Sequence, residues 1–404
     1  MPHSPRCPVP SAALRAAPRR VAALAALAAA VGLAPGTAAA GPRERARHVH
    51  DRLVGIPPGP EALDRMEALI AGGDPLAAAY EAMKSPVFYN TALVDFVTPW
   101  TNEARTVFAE LNDYSATVVG MIRDDVPFDR VLSADLVYVG APGVVEAPYS
   151  HTDNEHYEEL ARRAVDLSDP ELLVPVRQSE LPGAVIPAES TAGVLTTRAA
   201  GEAFLRAGTN RRMIRFTAIN FLCRDLEALK DISRPTDRIR QDVTRAPGGD
   251  SSVFLNQCSG CHSGLDPLAQ AFAYFDFDAE AGRVVYTPGQ VQAKYLINAF
   301  TFPLGFATPD DRWDNYWRHG PNAALGWGDG PGGGFGPKSL GREIAASRAF
   351  SVCQVEKVFS QVCLRPPDSQ ADRDEIERIA DVFEANAYSL KRVFAEVAAY
   401  CTAE

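Results

Sequence analysis

The sequence predicts a mainly α protein, with a helical N-terminal domain, a central unit built around one short helix, and a helical C-terminal domain. Three observations carry that prediction. Apolar residues recur at helical spacing in segments that Gly or Pro interrupt. Several of these segments open on a capping residue or a proline. Strand signal is confined to 136–139.

Residues 1–40 read as an export signal peptide. Arg15, Arg19 and Arg20 precede an apolar run from Val21 to Leu33, and Thr37-Ala38-Ala39-Ala40-Gly41 supplies the small residues of a cleavage site. The run is shorter than the ~20 residues a spanning helix needs, so cleavage is expected instead of anchoring. No later segment is long and apolar enough to cross a bilayer, and no membrane span is expected in the mature chain. Loss of Arg6, Arg15, Arg19 and Arg20 takes the 40 basic residues to 36, against 51 acidic ones, a net charge of −15. That sign argues against nucleic acid and anionic membranes. It favours a basic partner through long-range steering, with solubility alone as the alternative.

Residues 41–140 form the expected helical N-terminal domain. After Pro60, Leu63, Met66, Leu69 and Ile70 share one face until Gly72-Gly73 stops the helix. Ser85-Pro86 gives an N-cap and a proline at the first helical position for 87–97. Segments 112–124 and 128–132 look like two further helices. Residues 141–192 are rich in Pro, Gly, Ser and acids, and read as a loop-rich connector with one helix over 154–165.

A helix over 211–223 precedes the basic stretch 234–245. Pro247-Gly248-Gly249-Asp250 then turns the chain into the central helix, and Asp266-Pro267 reads as a second cap-plus-proline start, for 268–275. Residues 326–341 are a glycine-rich, flexible loop. Its Gly328-x-Gly330-x-x-Gly333 lacks the preceding strand of a dinucleotide site, and Lys338-Ser339 follows proline, which excludes a phosphate loop. Helices over 342–362, 369–385 and 389–400 close a C-terminal domain spanning 326–404.

The central helix carries Cys258-Ser259-Gly260-Cys261-His262. Cysteines at i and i+3 lie on one face of a turn, so both thiols reach the vinyl groups of one haem as thioethers. The adjacent histidine then stands beneath the iron as an axial ligand. A thioredoxin-like dithiol would sit among alternating strands and helices, which are absent here. A zinc site would need a second close pair, and Cys353 and Cys363 are ten apart. The expectation is therefore one covalent haem c, held by Cys258, Cys261 and His262, in a monohaem cytochrome c-like unit over 193–325.

No methionine follows residue 262, so a distal ligand downstream of the kind common in such proteins is excluded. Met213 and His319 are the two candidates for the sixth position, beside another ligand or an open site. Arg238, Arg240 and Arg245 are candidates to pair with the haem propionates, with solvation as the alternative. His151 and His156 flank Asp153-Asn154-Glu155. They read as exposed histidines around a helix cap at Asp153 in preference to a metal site, and His48-x-His50 is a weaker metal signal still.

Cys7 leaves with the signal, which leaves Cys223, Cys353, Cys363 and Cys401 in an oxidising compartment. Along one helix Cys353 and Cys363 would stand about 15 Å apart at about 1.5 Å per residue, too far for a disulfide. In an up-down-up arrangement the first and third C-terminal helices end on the same side. Cys363 then meets Cys401, and Cys353 is left for Cys223.

The chain resembles the planctomycete-type cytochrome c proteins, exported haem proteins built from domains of unknown function. The haem segment matches through Cys258 to His262, Asp266-Pro267, Phe272, Phe275-Asp276 and Gly282-Arg283. Gly193-Val194-Leu195-Thr196 and Asn210-Arg211-Arg212 up to Leu222-Cys223 resemble its lead-in. Leu53 to Pro58, Ser85-Pro86-x-Phe88, and Asp113-Tyr114 through Ile122-Arg123 to Pro127-Phe128-Asp129 are similar to the N-terminal partner domain. Ser347-x-x-Phe350-x-x-Cys353 and Tyr388-Ser389-Leu390 are similar to the closing helical domain. The 141–192 insertion and the glycine-rich loop depart from the pattern. The resemblance implies an exported haem protein and names no substrate.

The functional expectation is one-electron transfer to or from a basic redox partner protein, in the periplasm or as a secreted protein. The alternatives are a haem enzyme or small-ligand sensor with an open sixth position, and a binding scaffold with an accessory haem.

Overall fold

Prolines at the first helical position start each of the first three helices, Pro42–Val54, Pro60–Ala71 and Pro75–Ala82. Proline lacks an N–H that would be unsatisfied there anyway, and its fixed φ suits the helix. Asp74 caps the third, its Oδ1 accepting from the Ala77 N–H at 2.9 Å. The computed structural model describes residues 40–206 and 208–402, so all of the expected signal peptide except Ala40 lies outside the described residues.

The chain then differs from its sequence reading at 87–97. Ser85 does not cap with its side chain, and the segment opens as a π-helical turn, Phe88–Leu93, before the short α-turn Val94–Val97. Helix Asp113–Arg123 follows, capped reciprocally by Asn112 and Ser115, with every residue buried. Close packing explains one of its residues: a Cβ on Gly120 would stand 2.2 Å from the Tyr138 ring. The helix expected over 128–132 is only one 3₁₀ turn, Phe128–Arg130.

Three short antiparallel pairs complete the elements. Val137–Gly140 pairs with Leu173–Val176, Phe275–Asp278 with Arg283–Tyr286, and Arg312–Asp314 with Gly333–Phe335. The 141–192 segment is thus more than a connector. Besides a strand it carries helix Glu155–Arg162, which brings His156 inside. His156 Nε2 accepts from the Gly140 N–H at 2.9 Å and its Nδ1 lies 2.7 Å from the Ala147 carbonyl oxygen. The expected exposed histidine is therefore a buried bracket.

The glycine-rich loop is pinned, contrary to the flexible loop expected. Arg318 donates to the Gly330 carbonyl at 2.6 Å and to the wholly buried Glu343 at 2.7 and 2.8 Å, and Glu343 also accepts from the Gly332 N–H at 2.8 Å. Helix Gly336–Ala345 follows. The helix expected over 342–362 is broken, because Ser347 caps a new start and accepts from the Phe350 N–H. Helices Arg348–Cys363, Gln370–Ala385 and Leu390–Cys401 then pack as an antiparallel end piece, the last two capped by Ser369 and Ser389.

Helices make up 52% of the fold and strands 7%, which makes it mainly α. One aromatic cluster joins its ends. Phe394 of the last helix meets Phe88 and Phe96 edge-on at 5.3 and 5.4 Å, while Phe221 meets Trp100 at 5.8 Å and stacks on Phe350 at 6.2 Å. Each buried ring of this size contributes about 1.5–3 kcal/mol, so N-terminal, central and C-terminal segments stabilise one another through a shared core. The described residues accordingly cluster as one unit. Cys223 and Cys353 stand at disulfide distance, Cα atoms 5.3 Å apart, as do Cys363 and Cys401 at 5.5 Å. Among the described residues no helix is long and apolar enough to cross a membrane.

Candidate functional site

The Cys-x-x-Cys-His segment starts in a π-helical turn, Phe254–Cys258, and runs directly into helix Ser259–Ala269. Two small residues let the back of this helix dock. A Cβ on Gly260 would stand 2.7 Å from Lys230, and one on Gly264 would stand 1.9 Å from Nε1 of the buried Trp317. The Asp231 N–H bonds the Gly260 carbonyl at 2.9 Å. With that side fixed, Cys258 and Cys261 stand half-buried as free thiols, while the other four described cysteines form the two pairs at disulfide distance. Burial, then the nearby Glu227 carboxylate, pushes the Cys261 thiol up, so it is held protonated.

Asp266 does not cap a new helix, as its Asp-Pro context suggests. The helix continues past Pro267 to Ala269, and the Asp266 side chain is wholly buried one turn after His262. Its Oδ1 lies 3.1 Å from His262 Nδ1. Arg211 clamps the same carboxylate with two hydrogen bonds, 2.5 and 2.8 Å, and holds Asp242 with two more, 2.6 and 2.8 Å. The Arg240 backbone N–H adds a bond of 3.2 Å. Burial alone would raise the Asp266 pKa, but the Arg211 charge, its hydrogen bonds and the His262 contact hold it well below the usual carboxylate range. An ionised acceptor at Nδ1 places the imidazole proton there. Nε2 is left as the lone-pair nitrogen, the arrangement that orients metal-binding histidines.

Near the start of this helix the surface is partly apolar: Leu255 and Leu304 are 56% and 88% exposed, and the exposed Ile232 lies against Gly260. Leu255 and Leu304 line a cleft of ≈ 400 Å³ with Phe254, Phe302 and Arg245. The Arg245 guanidinium is sandwiched between the Phe254 and Phe302 rings at 4.7 and 4.4 Å.

The three arginines of the basic stretch separate by environment. Arg238 pairs with Asp314 and lies over Phe306, and Arg240 is buried, donating to Thr209 while stacked 4.5 Å over Tyr295. Arg245 alone of the three lines the cleft. The donors present fit a covalently held haem: two free thiols one helical turn apart and an imidazole whose Nδ1 meets a buried carboxylate. Cys258, Cys261 and His262 could hold the group, and Arg245 could meet a propionate.

The two distal candidates lie elsewhere. Met213 is wholly buried in the first turn of helix Arg211–Leu222. His319 is exposed, and Gly320 after it packs against Asp231 and Arg234 on the flank of the helix. No group of three or more His, Cys, Asp and Glu side chains among the described residues is placed to hold a bare metal ion.

Arg211, Asp242 and Asp266 escaped the sequence reading as site residues. His262 and Asp266 are four apart, the spacing of neighbours on a helix face, and that signal was available once the helix was run through Pro267. Arg211 and Asp242 come from distant segments and carried no local sign. Comparison with family models, curated proteins and solved structures gives no match for this chain.

Proposed function

We propose that this chain is a monohaem c-type cytochrome that carries one electron at a time, in the periplasm or as a secreted protein. The observation that supports it most is the free pair Cys258 and Cys261 directly ahead of a histidine whose Nδ1 is held by a buried, Arg-clamped carboxylate. Haem, when bound, supplies reversible one-electron exchange at its iron.

The chain's own residues do the rest. Cys258 and Cys261 would fix the group covalently, and His262 would supply Nε2 as a ligand. Asp266 holds the Nδ1 proton and makes the imidazole a stronger donor. Phe254, Leu255, Phe302 and Leu304 keep water from one side. A net charge of −15 on the mature chain suits a basic redox partner, and the resemblance to planctomycete-type cytochrome c proteins points the same way. Purified mature protein is expected to keep haem through denaturing electrophoresis and to give a c-type pyridine haemochrome at one haem per chain. Cys258→Ala with Cys261→Ala abolishes both signals, and haem released from the native sequence on denaturation would overturn the proposal.

A second reading, an enzyme or sensor with an open sixth position, is favoured by one observation: Met213 is wholly buried in the core and His319 is exposed. Ready binding of carbon monoxide by the ferrous protein would select it.

A further inference from the structure

A narrow cavity of ≈ 30 Å³ is lined by strand Val137–Gly140, the turn over 181–186, the start of helix Arg198–Phe204 and strand Arg283–Tyr286. Leu181, Val185, Ile186 and Val284 give it apolar walls. Much of its polar lining is already engaged. Gln178 donates to the Leu136 and Gly193 carbonyls at 2.9 and 2.7 Å and accepts from the Thr196 hydroxyl at 2.9 Å. Asp113 is the one carboxylate among the described lining residues, and it accepts from the backbone N–H groups of Arg198 and Ala199 at 2.6 and 3.0 Å.

Three side chains on this cavity keep unused capacity. Nε2 of His151, a histidine expected at the surface, is buried without a partner, and the ring stands edge-on to Tyr149 at 5.1 Å. Nε of Arg198 is likewise buried and unpartnered, while Nη1 of the same guanidinium meets Glu202 at 3.0 Å. Arg283 lines the cavity too, and no hydrogen bond or ion pair holds its guanidinium among the described residues. Buried polar groups are met as a rule in folded proteins, so two orphans on one cavity point to an occupant. The His151 ring also bonds the Pro182 backbone, and proline has only a carbonyl to offer. Nδ1 therefore carries the proton and Nε2 the lone pair.

We propose that this cavity binds a short-chain 2-hydroxy acid. The carboxylate meets the Arg283 guanidinium and the free Nε–H of Arg198, the hydroxyl donates to His151 Nε2, and the carbons lie against Leu181, Val185 and Val284. Each requirement comes from a separate observation. Guanidinium donors without partners suit a planar carboxylate with two acceptor oxygens. A ring nitrogen with a lone pair suits a hydroxyl, and the two arginine charges disfavour the ammonium group of an amino acid. Room for about two waters limits the ligand to a few heavy atoms. Burial and the Arg283 charge lower the His151 pKa, which keeps the ring a neutral acceptor at pH 7.5. Nothing in this inference depends on the haem.

The test titrates the full purified protein with glycolate at pH 7.5, followed by ligand-observed NMR. Acetate and ethylene glycol are the matched ligands that lack the hydroxyl and the carboxylate. Glycolate is expected to bind with a Kd of about 1 mM, in keeping with so few heavy atoms. Acetate is expected to bind about tenfold more weakly, the loss of one hydrogen bond to a buried acceptor, and ethylene glycol is expected to give no saturable signal. Arg283→Gln, at an exposed side chain that no bond ties to the fold, should weaken glycolate by about tenfold. His151→Phe keeps a ring against Tyr149 and should bring glycolate down to the level of acetate. Equal binding of glycolate and acetate by the native protein would overturn the proposal without any variant. So would the absence of a saturable glycolate signal up to about 20 mM, which leaves the cavity to water. Unchanged glycolate binding in a folded Arg283→Gln would place the ligand elsewhere and overturn it as well.

Discussion

Asp266 Oδ1 lies 3.1 Å from His262 Nδ1, and no solvent reaches the Asp266 side chain. The pair joins the candidate axial ligand to the fold: Arg211 opens a helix of the central core and clamps Asp266, which in turn fixes the ring. The first prediction follows from it. Asp266→Asn keeps the volume and removes the charge, so Arg211 loses half of its compensation while Asp242 remains. Removing one partner of a buried pair costs about 3–5 kcal/mol, and Asp242 holds the cost to about 3. Urea denaturation of variant and native chains measures it. Since the folded pKa is depressed, this stabilisation is present above the ordinary carboxylate range and is lost as the pH falls through that range towards the folded value. The native protein should therefore lose stability in acid more steeply than Asp266→Asn. If haem is bound, the variant's midpoint potential should rise, because the oxidised iron loses a neighbouring negative charge.

The sixth position gives a second prediction. Met213 is packed on all sides, and withdrawing it from the core would leave a cavity. If it ligates iron, Met213→Leu abolishes a methionine-to-iron charge-transfer band and lowers the midpoint potential. If His319 does, His319→Ala changes the low-spin spectrum and leaves the thermal melt unaltered, since an exposed side chain contributes little to packing. If both variants keep the native spectrum and the ferrous protein binds carbon monoxide, the position is open.

What the sequence made legible, and what it did not, divides on locality. Helices Pro60–Ala71, Asp113–Arg123, Gln370–Ala385 and Leu390–Cys401 carry their own caps and stops, in Pro60, Asn112, Ser369 and Ser389, so they read correctly within a residue or two. Of the short strands, Val137–Gly140 was legible at 136–139 and the others escaped. Leu173–Val176 contains Pro175, and Gly333–Phe335 sits in a glycine run; at three or four residues neither shows an alternation long enough to read. Asp266-Pro267 misled because a local signal, the cap-plus-proline pattern, lost to a tertiary one. The helix runs only two residues beyond Pro267, and the Asp266 side chain serves Arg211 and His262 instead of a cap. At the site, the pentapeptide was legible because its chemistry is local. The Arg211 clamp was not, because it spans 55 residues.

The third prediction concerns Gly264. A Cβ there would stand 1.9 Å from Trp317 Nε1, and Trp317 is buried against Trp327. Gly264→Ala must displace the indole or the helix two residues after His262. Overpacking of this kind costs about 1–3 kcal/mol, and the displaced helix should also lower haem incorporation in vivo. Melting temperature and the ratio of haem to protein absorbance report the two effects. A variant with native values for both would show that the helix docks differently.

The last prediction ranks the two cysteine pairs. Cys223 and Cys353 are separated by 130 residues, Cys363 and Cys401 by 38. In the chain-entropy account the longer loop is worth about 5 kcal/mol and the shorter about 4, as upper values. The long loop also ties the helix Arg211–Leu222 to the C-terminal helix Arg348–Cys363, whereas the short one closes only the end piece. Cys353 is buried, so Ser there adds an unsatisfied hydroxyl to the lost link. Cys223, half-buried at the end of its helix, is the fairer site for substitution. Cys223→Ser with Cys353→Ala should therefore lower stability by more than Cys363→Ser with Cys401→Ala, by about 1 kcal/mol beyond any packing loss. It should also speed proteolysis at the helix junctions around Ser347. Urea midpoints of the two double variants, with peptide mapping under non-reducing conditions on the native protein, decide the order. A peptide linking Cys353 to Cys363 would overturn the pairing itself, because ten residues of helix lie between them.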